Sequence, residues 1–312
     1  MYEAFYGLKE KPFSLLPDPS FLFLGHGHAM AYSMLEYGIL SQAGFTLITG
    51  DVGCGKTTLI RRLLGQLDPA VTVGLISNTG RSVRDLLKSI LLAFRQEYRG
   101  KDTIELNEAL EDFLIAEYAV GHRCVLIVDE AQNLDMDTLE ELRLLSNINA
   151  DKHLVLQLIL VGQTQLRVKL GRQQLQQFAQ RIAVSFHLRP LSEAETAAYI
   201  EHRLRHAGGH GALFSPQACQ RIYRESGGIP RLINVLCDMA LVYGYAEQAT
   251  QIGGDLVQAV IEDRAGSHVS GSEEAHGGAP VEALQEPPVD DPKVTVFDRD
   301  HTLELFSGTR RR

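Results

Sequence analysis

The chain has 312 residues, a formal net charge of −9, and 45% hydrophobic and 22% charged residues. This composition excludes the disordered and integral-membrane classes, and the length is sufficient for one large or two modest domains with cores of their own. The negative charge argues against nucleic acid as the main partner, because that binding depends largely on Lys and Arg side chains that neutralise phosphates.

The cysteines and the apolar runs indicate the cellular setting. The cysteines lie far apart without a CxxC pair, mostly inside apolar segments, at Cys54, Cys124, Cys219 and Cys237. This usage is typical of buried thiols in a reduced, cytoplasmic protein. The start, MYEAFYGLKEKPF, lacks the layout of a secretory signal, and runs such as LVLQLILVG are far shorter than the roughly 20 residues that span a bilayer. We therefore expect a cytoplasmic protein that reaches a membrane only through its partners.

In chain order, residues 1–44 form an aromatic, proline-containing lead-in that we expect to pack on the following domain and that ends in a helical pattern, HAMAYSMLEYGILSQ. Residues 45–190 alternate helical patterns with short apolar runs, which are FTLITG, VTVGLIS, CVLIVD, HLVLQLILVG and IAVSFHL. This alternation predicts an α/β fold with a parallel sheet between two layers of helices, whose strands are apolar throughout because both faces are covered.

After residue 190 the strand patterns stop. Ser192 and Glu195 form a capping box at the start of one helix, and Pro230 opens another in PRLINVLCDMALVYGYA. Residues 191–264 are therefore predicted to be a small all-helical domain. Residues 265–312 are rich in Gly, Pro, Ser and acidic residues, which predicts a disordered tail. Within that tail, VTVFDRDHTLELF could pair or dock.

A glycine-rich loop joins the first predicted strand to a helix in FTLITGDVGCGKTTLIRRLL. Gly50, Gly55, Lys56 and Thr57 match the pattern G-x-x-x-x-G-K-[ST], with Gly53 as a further glycine inside it. Glycines let main-chain N–H groups turn toward an anion, and the helix N terminus adds a favourable dipole. Lys56 is expected at the β and γ phosphates of ATP, and the Thr57 hydroxyl at Mg²⁺. The alternative is a glycine-rich turn without a ligand, which the strand before it and the helix after it disfavour.

An acidic pair ends the apolar run in CVLIVDEAQ. Asp129 is placed to hold Mg²⁺, as the Walker B aspartate does, and Glu130 to polarise the attacking water. Alternatively, both carboxylates cap the next helix. The residues predicted to contact the nucleotide or its metal are Gly50, Asp51, Val52, Gly53, Cys54, Gly55, Lys56, Thr57, Thr58 and Asp129.

Further polar side chains have two interpretations each. Gln163 follows LILVG and could bond the γ phosphate or the water, although a polar residue after a strand is commonly only part of a turn. Arg231 lies in the first turn of the helix that Pro230 opens, where it reaches a phosphate or stays at the surface. Arg181, or with less support Arg172, could serve a neighbouring subunit as an arginine finger, and a solvated surface position is the alternative.

The order of these elements resembles that of AAA+ ATPases: a phosphate loop, an acidic strand end, a polar strand end, an Arg-bearing helix and a helical lid with GGIPR. More narrowly, MYEAFYGLKEKPFSLLPDPSFLF, LIVDEAQNL, LEELRLLSN, YIEHRL and GGIPRLINVLCD are similar to secretion ATPases of the ExeA or general-secretion-pathway type. Within this group the sequence resembles the secretion ATPase of exosortase and PEP-CTERM loci. The resemblance covers roughly residues 1–262.

The resemblance implies that Gln163 is the sensor 1 position, Arg231 the sensor 2 position and Arg181 the finger. It also implies a five-stranded core in which the strand near 154–162 lies between the loop strand and the strand that ends in the acidic pair. Thr164 departs from the pattern, because relatives often have Pro there. The membrane span and cell-wall-binding region of the general-secretion relatives are absent from this sequence, so we do not expect a membrane-anchored, peptidoglycan-remodelling role.

The leading hypothesis is a Mg²⁺-dependent ATPase that closes its lid over ATP, hydrolyses it by direct attack of water, and acts as a homo-oligomer on a protein of an envelope secretion or polysaccharide-export system. One alternative is a DNA-acting AAA+ protein of the initiator or transposition-helper type, and another is a nucleotide-gated scaffold with little turnover. A small-molecule kinase is disfavoured because Glu130 suits water activation. The sequence lacks the Asn/Thr-Lys-x-Asp element expected for guanine specificity, and the resemblance implies adenine as the base.

Overall fold

The computed structural model describes residues 1–77, 82–150, 153–269, 294–297 and 303–306. Within them the backbone forms two compact units. The sheet unit contains residues 30–50 and 60–188 and the strands after residue 289, and the helical unit contains residues 1–29, 51–59 and 189–269. The phosphate loop therefore belongs to the helical unit, whereas the acidic strand end belongs to the sheet unit.

Five strands form the central sheet: β1 (Phe45–Gly50), β2 (Val71–Ile76), β3 (Arg123–Val128), β4 (Leu156–Gly162) and β5 (Ile182–Leu188). Their order is β2-β3-β4-β1-β5, and every neighbouring pair is parallel. The predicted parallel sheet is confirmed, as is the implied position of β4 between β1 and β3. Every residue of β1 and β4 is buried, since a strand in the middle of a covered parallel sheet exposes neither face.

The helices are, in chain order, α1 (Tyr2–Phe5), α2 (His26–Leu40), α3 (Lys56–Leu64), α4 (Val83–Ala93), α5 (Thr103–Ala119), α6 (Met136–Leu145), α7 (Thr164–Leu170), α8 (Gln176–Ala179), α9 (Glu193–His206), α10 (Pro216–Ser226), α11 (Pro230–Ala246) and α12 (Gly254–Val269). Side-chain caps explain where several of them begin. The Ser192 side chain accepts from the Glu195 main chain at the start of α9 and completes the predicted capping box. Asp135 caps α6 by accepting from the N–H of Thr138 at 2.8 Å.

Strand and helix residues share one hydrophobic core in the sheet unit. The core includes Leu126 of β3 and Leu158 of β4, together with Leu87 of α4 and Leu110 of α5, all fully buried. Each such side chain contributes about 1.5–3 kcal/mol by leaving water. This core holds the sheet in place and thereby positions the carboxyl ends of its strands.

The lead-in packs on helices of the helical unit. Tyr2, Phe13 and Phe21 share a hydrophobic core with residues of α9, α10, α11 and α12. The buried Arg203 of α9 stacks on the Phe21 ring and donates to the Tyr199 hydroxyl at 2.8 Å. The lead-in is expected from the sequence to pack on the nucleotide-binding core, whereas residues 1–29 cluster with the helices after residue 190. The aromatic residues of the segment predict that it is buried, but they do not predict which surface covers it.

Most of the tail predicted to be disordered, residues 265–312, lies outside the described residues. Described within it are the end of α12 and an antiparallel pair of strands, Val294–Phe297 with Leu303–Phe306, in the segment for which pairing was one expectation. A second short antiparallel pair joins Asn149–Ala150 to His153–Leu154. In the described part of the chain, we find no helix with the length and apolar character needed to cross a bilayer.

Candidate nucleotide-binding site

The predicted site residues of the sheet unit follow strands that end at one edge of the sheet. In the parallel register, Thr49 of β1 pairs with Gly162 of β4, and Val128 of β3 pairs with Leu160 of β4. Gly50, the last residue of β1, is required there because a Cβ would lie 2.6 Å from the carbonyl oxygen of Leu188 in β5. Gly50, the first glycine of the motif, therefore lies at the same edge where the acidic pair and Gln163 follow their strands.

The phosphate loop has a main-chain conformation that only glycine adopts easily. Gly53 has φ +82° and Gly55 has φ +91°. The Cys54 N–H turns back to the Asp51 carbonyl at 3.3 Å, and α3 begins directly after the loop at Lys56. Positive φ angles followed by a helix N terminus aim main-chain N–H groups at a common point, which is the arrangement that binds phosphates.

Side chains of the loop differ in exposure according to their predicted roles. Lys56 is only 6% exposed, and its Nζ donates to the Asp51 carbonyl at 2.9 Å. Thr57 and Thr58 lie partly buried in the first turn of α3, whereas Val52 is exposed. Cys54 is fully buried, and burial raises the pKa of its thiol to about 11. The thiol is therefore neutral at physiological pH and acts as a small core side chain.

A buried histidine holds the loop from α2, and sequence reasoning missed it. His28 is 4% exposed, and its Nε2 bonds the Cys54 carbonyl at 2.8 Å. Burial lowers the pKa of His28, while the bond to Cys54 and the nearby Glu195 carboxylate act in the opposite direction. A Cβ at Gly55 would lie 3.3 Å from His28 Nε2, so the loop and the ring are in close contact. The only signal in the sequence was an ordinary His near the start of a helix.

The structure brings Arg231 to the phosphate loop. Its N–H donates to the Gly53 carbonyl at 3.2 Å, and a Cβ at Gly53 would lie 2.7 Å from Arg231 Cβ. The side chain of Arg231 is exposed. Gly228, three residues before it, has a steric cause, because its φ is +76° and a Cβ there would lie 1.9 Å from the Leu191 carbonyl oxygen. The GGIPR element thus fixes the start of α11 beside the loop.

The acidic pair has two different environments. Asp129 is 7% exposed, its N–H donates to the Ile76 carbonyl at 2.8 Å, and its Oδ1 accepts from the Glu130 N–H at 2.9 Å. Glu130 is partly buried with φ +53°, a conformation that costs about 1 kcal/mol outside glycine. Asp135 provides the cap of α6, and Glu130 precedes the 3-10 turn Ala131–Asn133 without a side-chain cap bond, so the Glu130 carboxylate is not a helix cap.

Two carboxamides hold the Glu130 side chain. The Nε2 of Gln163 donates to Glu130 Oε2 at 3.1 Å, and the Nε2 of Gln132 donates to the same oxygen. The Oε1 of Gln132 accepts from the Gln163 main-chain N–H at 2.9 Å. The Nζ of Lys169 donates to the Gln132 carbonyl at 2.7 Å and to the Leu134 carbonyl. Sequence reasoning identified Gln163 but missed Gln132, although it stands in the same DEAQ run.

The chain is similar to known proteins both in sequence and in fold. Residues 39–170 match the family model described as an AAA domain. The chain has the P-loop AAA fold. It is 42% identical over 264 residues to General secretion pathway protein A of Aeromonas hydrophila, and the match covers 84% of this chain and 48% of that protein. The chain thus spans about half the length of that curated relative.

Solved structures similar to this chain include two proteins of Aeropyrum pernix. The ORC2 protein in its ADP form has a TM-score of 0.63 at 21% identity, with 82% of this chain and 73% of that one covered. The ORC1 protein in complex with DNA has a TM-score of 0.62 at 17% identity, with 84% and 71% covered. At such identities the likeness concerns the fold alone.

The two candidate arginine fingers, Arg181 and Arg172, have neighbours of their own. Arg181 Nη1 donates to Ser146 Oγ at 2.9 Å and lies 3.5 Å from the Arg143 carbonyl, so it binds the end of α6 rather than the Glu130 cluster. A cation at a helix C terminus interacts favourably with the helix dipole. Arg172 is exposed and begins a short 3-10 turn. A role in a neighbouring subunit stays a prediction for both.

Oxygen atoms supplied by the AAA domain suit Mg²⁺. The predicted metal contacts are a hydroxyl from Thr57 and a carboxylate from Asp129, which are hard ligands. Within the described residues, no group of three or more His, Cys, Asp or Glu could hold a metal ion. A Mg²⁺ ion commonly binds one or two protein oxygens together with substrate phosphates, and this donor set fits that pattern.

Proposed function

We propose that the protein is a Mg²⁺-dependent ATPase that couples hydrolysis to a protein partner of an envelope secretion system. The observation that carries this proposal is the phosphate loop, in which Gly53 and Gly55 have positive φ angles and a buried Lys56 starts a helix. The acidic pair after β3, with its carboxamide partners, supports hydrolysis rather than nucleotide binding alone. Adenine remains the favoured base.

Each residue has a role in this proposal. Main-chain N–H groups of the loop and Lys56 bind the β and γ phosphates of ATP, and Thr57 and Asp129 hold Mg²⁺. When bound, Mg²⁺ would neutralise phosphate charge. Glu130 orients the attacking water and accepts its proton. Gln163 and Arg231 contact the γ phosphate, and these contacts couple its presence to the sheet and to the lid, respectively.

The secretion context is supported by 42% identity to General secretion pathway protein A of Aeromonas hydrophila. We propose that the chain works in the cytoplasm, peripherally at the inner membrane, on proteins of a secretion or polysaccharide-export system of the exosortase and PEP-CTERM type. Loss of the γ phosphate would release the lid and change the surface offered to that partner.

Two substitutions test the ATPase. Lys56→Ala is expected to abolish ATP binding, measured with a fluorescent nucleotide, because the loop loses its only ammonium group. Glu130→Gln is expected to bind ATP like the wild type and to lower phosphate release by about 100-fold or more, the contribution of a general base. Glu111→Gln, the same change on the exposed face of α5, is the matched control and should leave both measurements unchanged. If Glu130→Gln hydrolysed ATP at the wild-type rate, Glu130 would not be the catalytic base.

A mixing experiment tests the homo-oligomer and the finger. If Arg181 acts on the neighbouring subunit, an Arg181→Ala chain and a Glu130→Gln chain are each inactive. Their mixture should regain turnover, because an intact Glu130 of the first chain then meets an intact Arg181 of the second. Turnover per chain should also rise with protein concentration, which a scaffold with negligible turnover would not show. Arg172→Ala is the control and should remain active by itself. If the mixture regained turnover only when Arg172 was intact, Arg172 and not Arg181 would be the arginine finger.

The DNA-acting alternative keeps some weight because the ORC1 structure of similar fold contains DNA. The ATP-loaded Glu130→Gln chain should capture envelope proteins from a membrane extract, and those proteins should be absent when Lys56→Ala is used as bait. Binding of duplex DNA that weakens steeply with rising salt would favour the alternative, since phosphate contacts release counterions.

A further inference from the structure

We propose that Gln132 is a positioning residue for hydrolysis, which holds the Glu130 carboxylate and ties it to the main chain at Gln163. The inference rests on the proposed ATPase function, because it assigns a role in that reaction. It starts from three hydrogen bonds within the sheet unit: two carboxamide donors on Glu130 Oε2, and the Gln163 N–H on Gln132 Oε1.

The main chain fixes the orientation of the Gln132 carboxamide. The Gln163 N–H is a donor, so the atom of Gln132 that faces it at 2.9 Å must be the oxygen. The NH₂ group of Gln132 therefore points to Glu130, where it meets an acceptor. A flipped carboxamide would set donor against donor and acceptor against acceptor. One side chain thus joins the loop after β3 to the end of β4.

Neighbouring residues leave this carboxamide little freedom. A Cβ at Gly162 would lie 2.9 Å from Gln132 Oε1 and 2.7 Å from Leu166 Cδ2, so the Gln132 carboxamide is packed closely against the end of β4. Lys169 of α7 holds the Gln132 carbonyl at 2.7 Å. Both the main chain and the side chain of Gln132 are therefore bound to elements that follow β4.

The held carboxylate suits the activation of water. Both carboxamides bond the same oxygen, Oε2, which leaves Oε1 to accept the proton of the attacking water. The positive φ of Glu130 is an unfavourable conformation that neighbouring contacts must maintain. Without Gln132, Glu130 keeps the bond from the Gln163 side chain but loses its second donor, the carboxamide that is itself held by the Gln163 main chain. The chemical step should slow, while nucleotide binding stays the same.

The test compares two variants with a neighbouring control. Gln132→Ala should lower kcat by about 10–100-fold, the usual cost of removing a group that orients a reacting residue, and leave KM and nucleotide affinity unchanged within about twofold. Gln132→Glu keeps an acceptor for the Gln163 N–H but repels Glu130, and should lower kcat at least as much. Asn133→Ala removes the adjacent exposed carboxamide and should behave as wild type.

Two further measurements separate positioning from a general structural role. In a Glu130→Gln background, Gln132→Ala should lower kcat no further, because Gln132 acts through Glu130. Hydrogen exchange at the Gln163 amide should accelerate in Gln132→Ala and stay slow in Gln132→Glu, a readout that needs no turnover. Equal kcat in wild type and Gln132→Ala, or additive losses, would overturn this inference alone. A wild-type chain that binds ATP without hydrolysing it would overturn the proposed function, and this inference with it.

Discussion

The two halves of the candidate site are built from different parts of the chain. The phosphate loop binds through main-chain groups, and its requirements fall on glycines: Gly53 and Gly55 have φ values that other residues rarely adopt. The strand-end half depends on side chains, with Glu130 held by Gln132 and Gln163. A site made of main chain leaves a compact sequence motif, whereas a network of side chains leaves scattered polar residues. The halves should therefore respond to opposite kinds of substitution.

The largest effect is expected from a change that keeps the charge of the strand-end half. Glu130→Asp withdraws the carboxylate by one methylene group from both carboxamides, and a misplaced base loses most of its catalytic contribution. We expect kcat to fall by about 100-fold with nucleotide affinity unchanged. Steady-state phosphate release and equilibrium nucleotide binding measure the two quantities.

The control for this change is Glu111→Asp on α5, which shortens an exposed carboxylate away from the network. It should leave kcat at the wild-type value. If Glu130→Asp retained most of the wild-type kcat, a carboxylate anywhere in the region would suffice, and the distinction between the two halves would be lost.

The phosphate-loop half should show the reverse pattern. Gly53→Ala adds a single carbon to a residue with φ +82°, at a point 2.7 Å from Arg231 Cβ. The conformational cost alone is about 1–2 kcal/mol, so nucleotide affinity should weaken by about tenfold or more. Val52→Ala removes a larger, 56% exposed side chain next to it and should change affinity by less than about twofold. Equal affinities for the two variants would mean that side chains of the loop bind the nucleotide.

This difference also explains what sequence reasoning could reach. Alternating apolar runs predicted the sheet, because burial of a parallel strand on both faces leaves a visible pattern. The order of the strands came from the resemblance alone, since spacing along the chain does not specify which strands pair. Gly53 and Lys56 were identified because the loop conformation demands particular residues. Gln132 and His28 were missed, because a hydrogen bond between residues distant in sequence imposes no spacing.

The arginine fingers illustrate the same limit. A guanidinium group on a helix flank suits a phosphate, a carboxylate or the carbonyl groups at a helix end equally well. In the structure Arg181 donates a hydrogen bond to Ser146 at the end of α6, a contact that no sequence motif predicts. The chemistry of a residue type therefore narrows its role only when the fold supplies the partner.

The smallest expected effect on nucleotide affinity concerns the histidine that supports the phosphate loop. His28→Ala removes the bond to the Cys54 carbonyl and leaves that group buried, which should cost about 1–3 kcal/mol of stability and weaken nucleotide affinity a few-fold. His28→Gln places an amide nitrogen near the position of Nε2 and should recover most of both. Thermal unfolding with and without nucleotide measures the difference. Equal losses in the two variants would show that the ring contributes by packing and not by its bond.

The pH dependence of the same pair follows from burial. The pKa of His28 lies below its ordinary value of 6.5 in the folded chain, so the folded state resists a proton that the unfolded state accepts. Stability is therefore highest above the unfolded pKa and falls as the pH drops toward the lowered folded pKa. Glu195, the charged neighbour of the ring, reduces this loss without cancelling it. The melting temperature of the wild type should thus decrease relative to that of His28→Gln between about pH 7 and pH 5, the range in which histidine titrates. If the difference in melting temperature between the wild type and His28→Gln stayed constant across this range, the His28 ring would accept a proton without loss of stability. The ring would then be solvated and not buried under the phosphate loop.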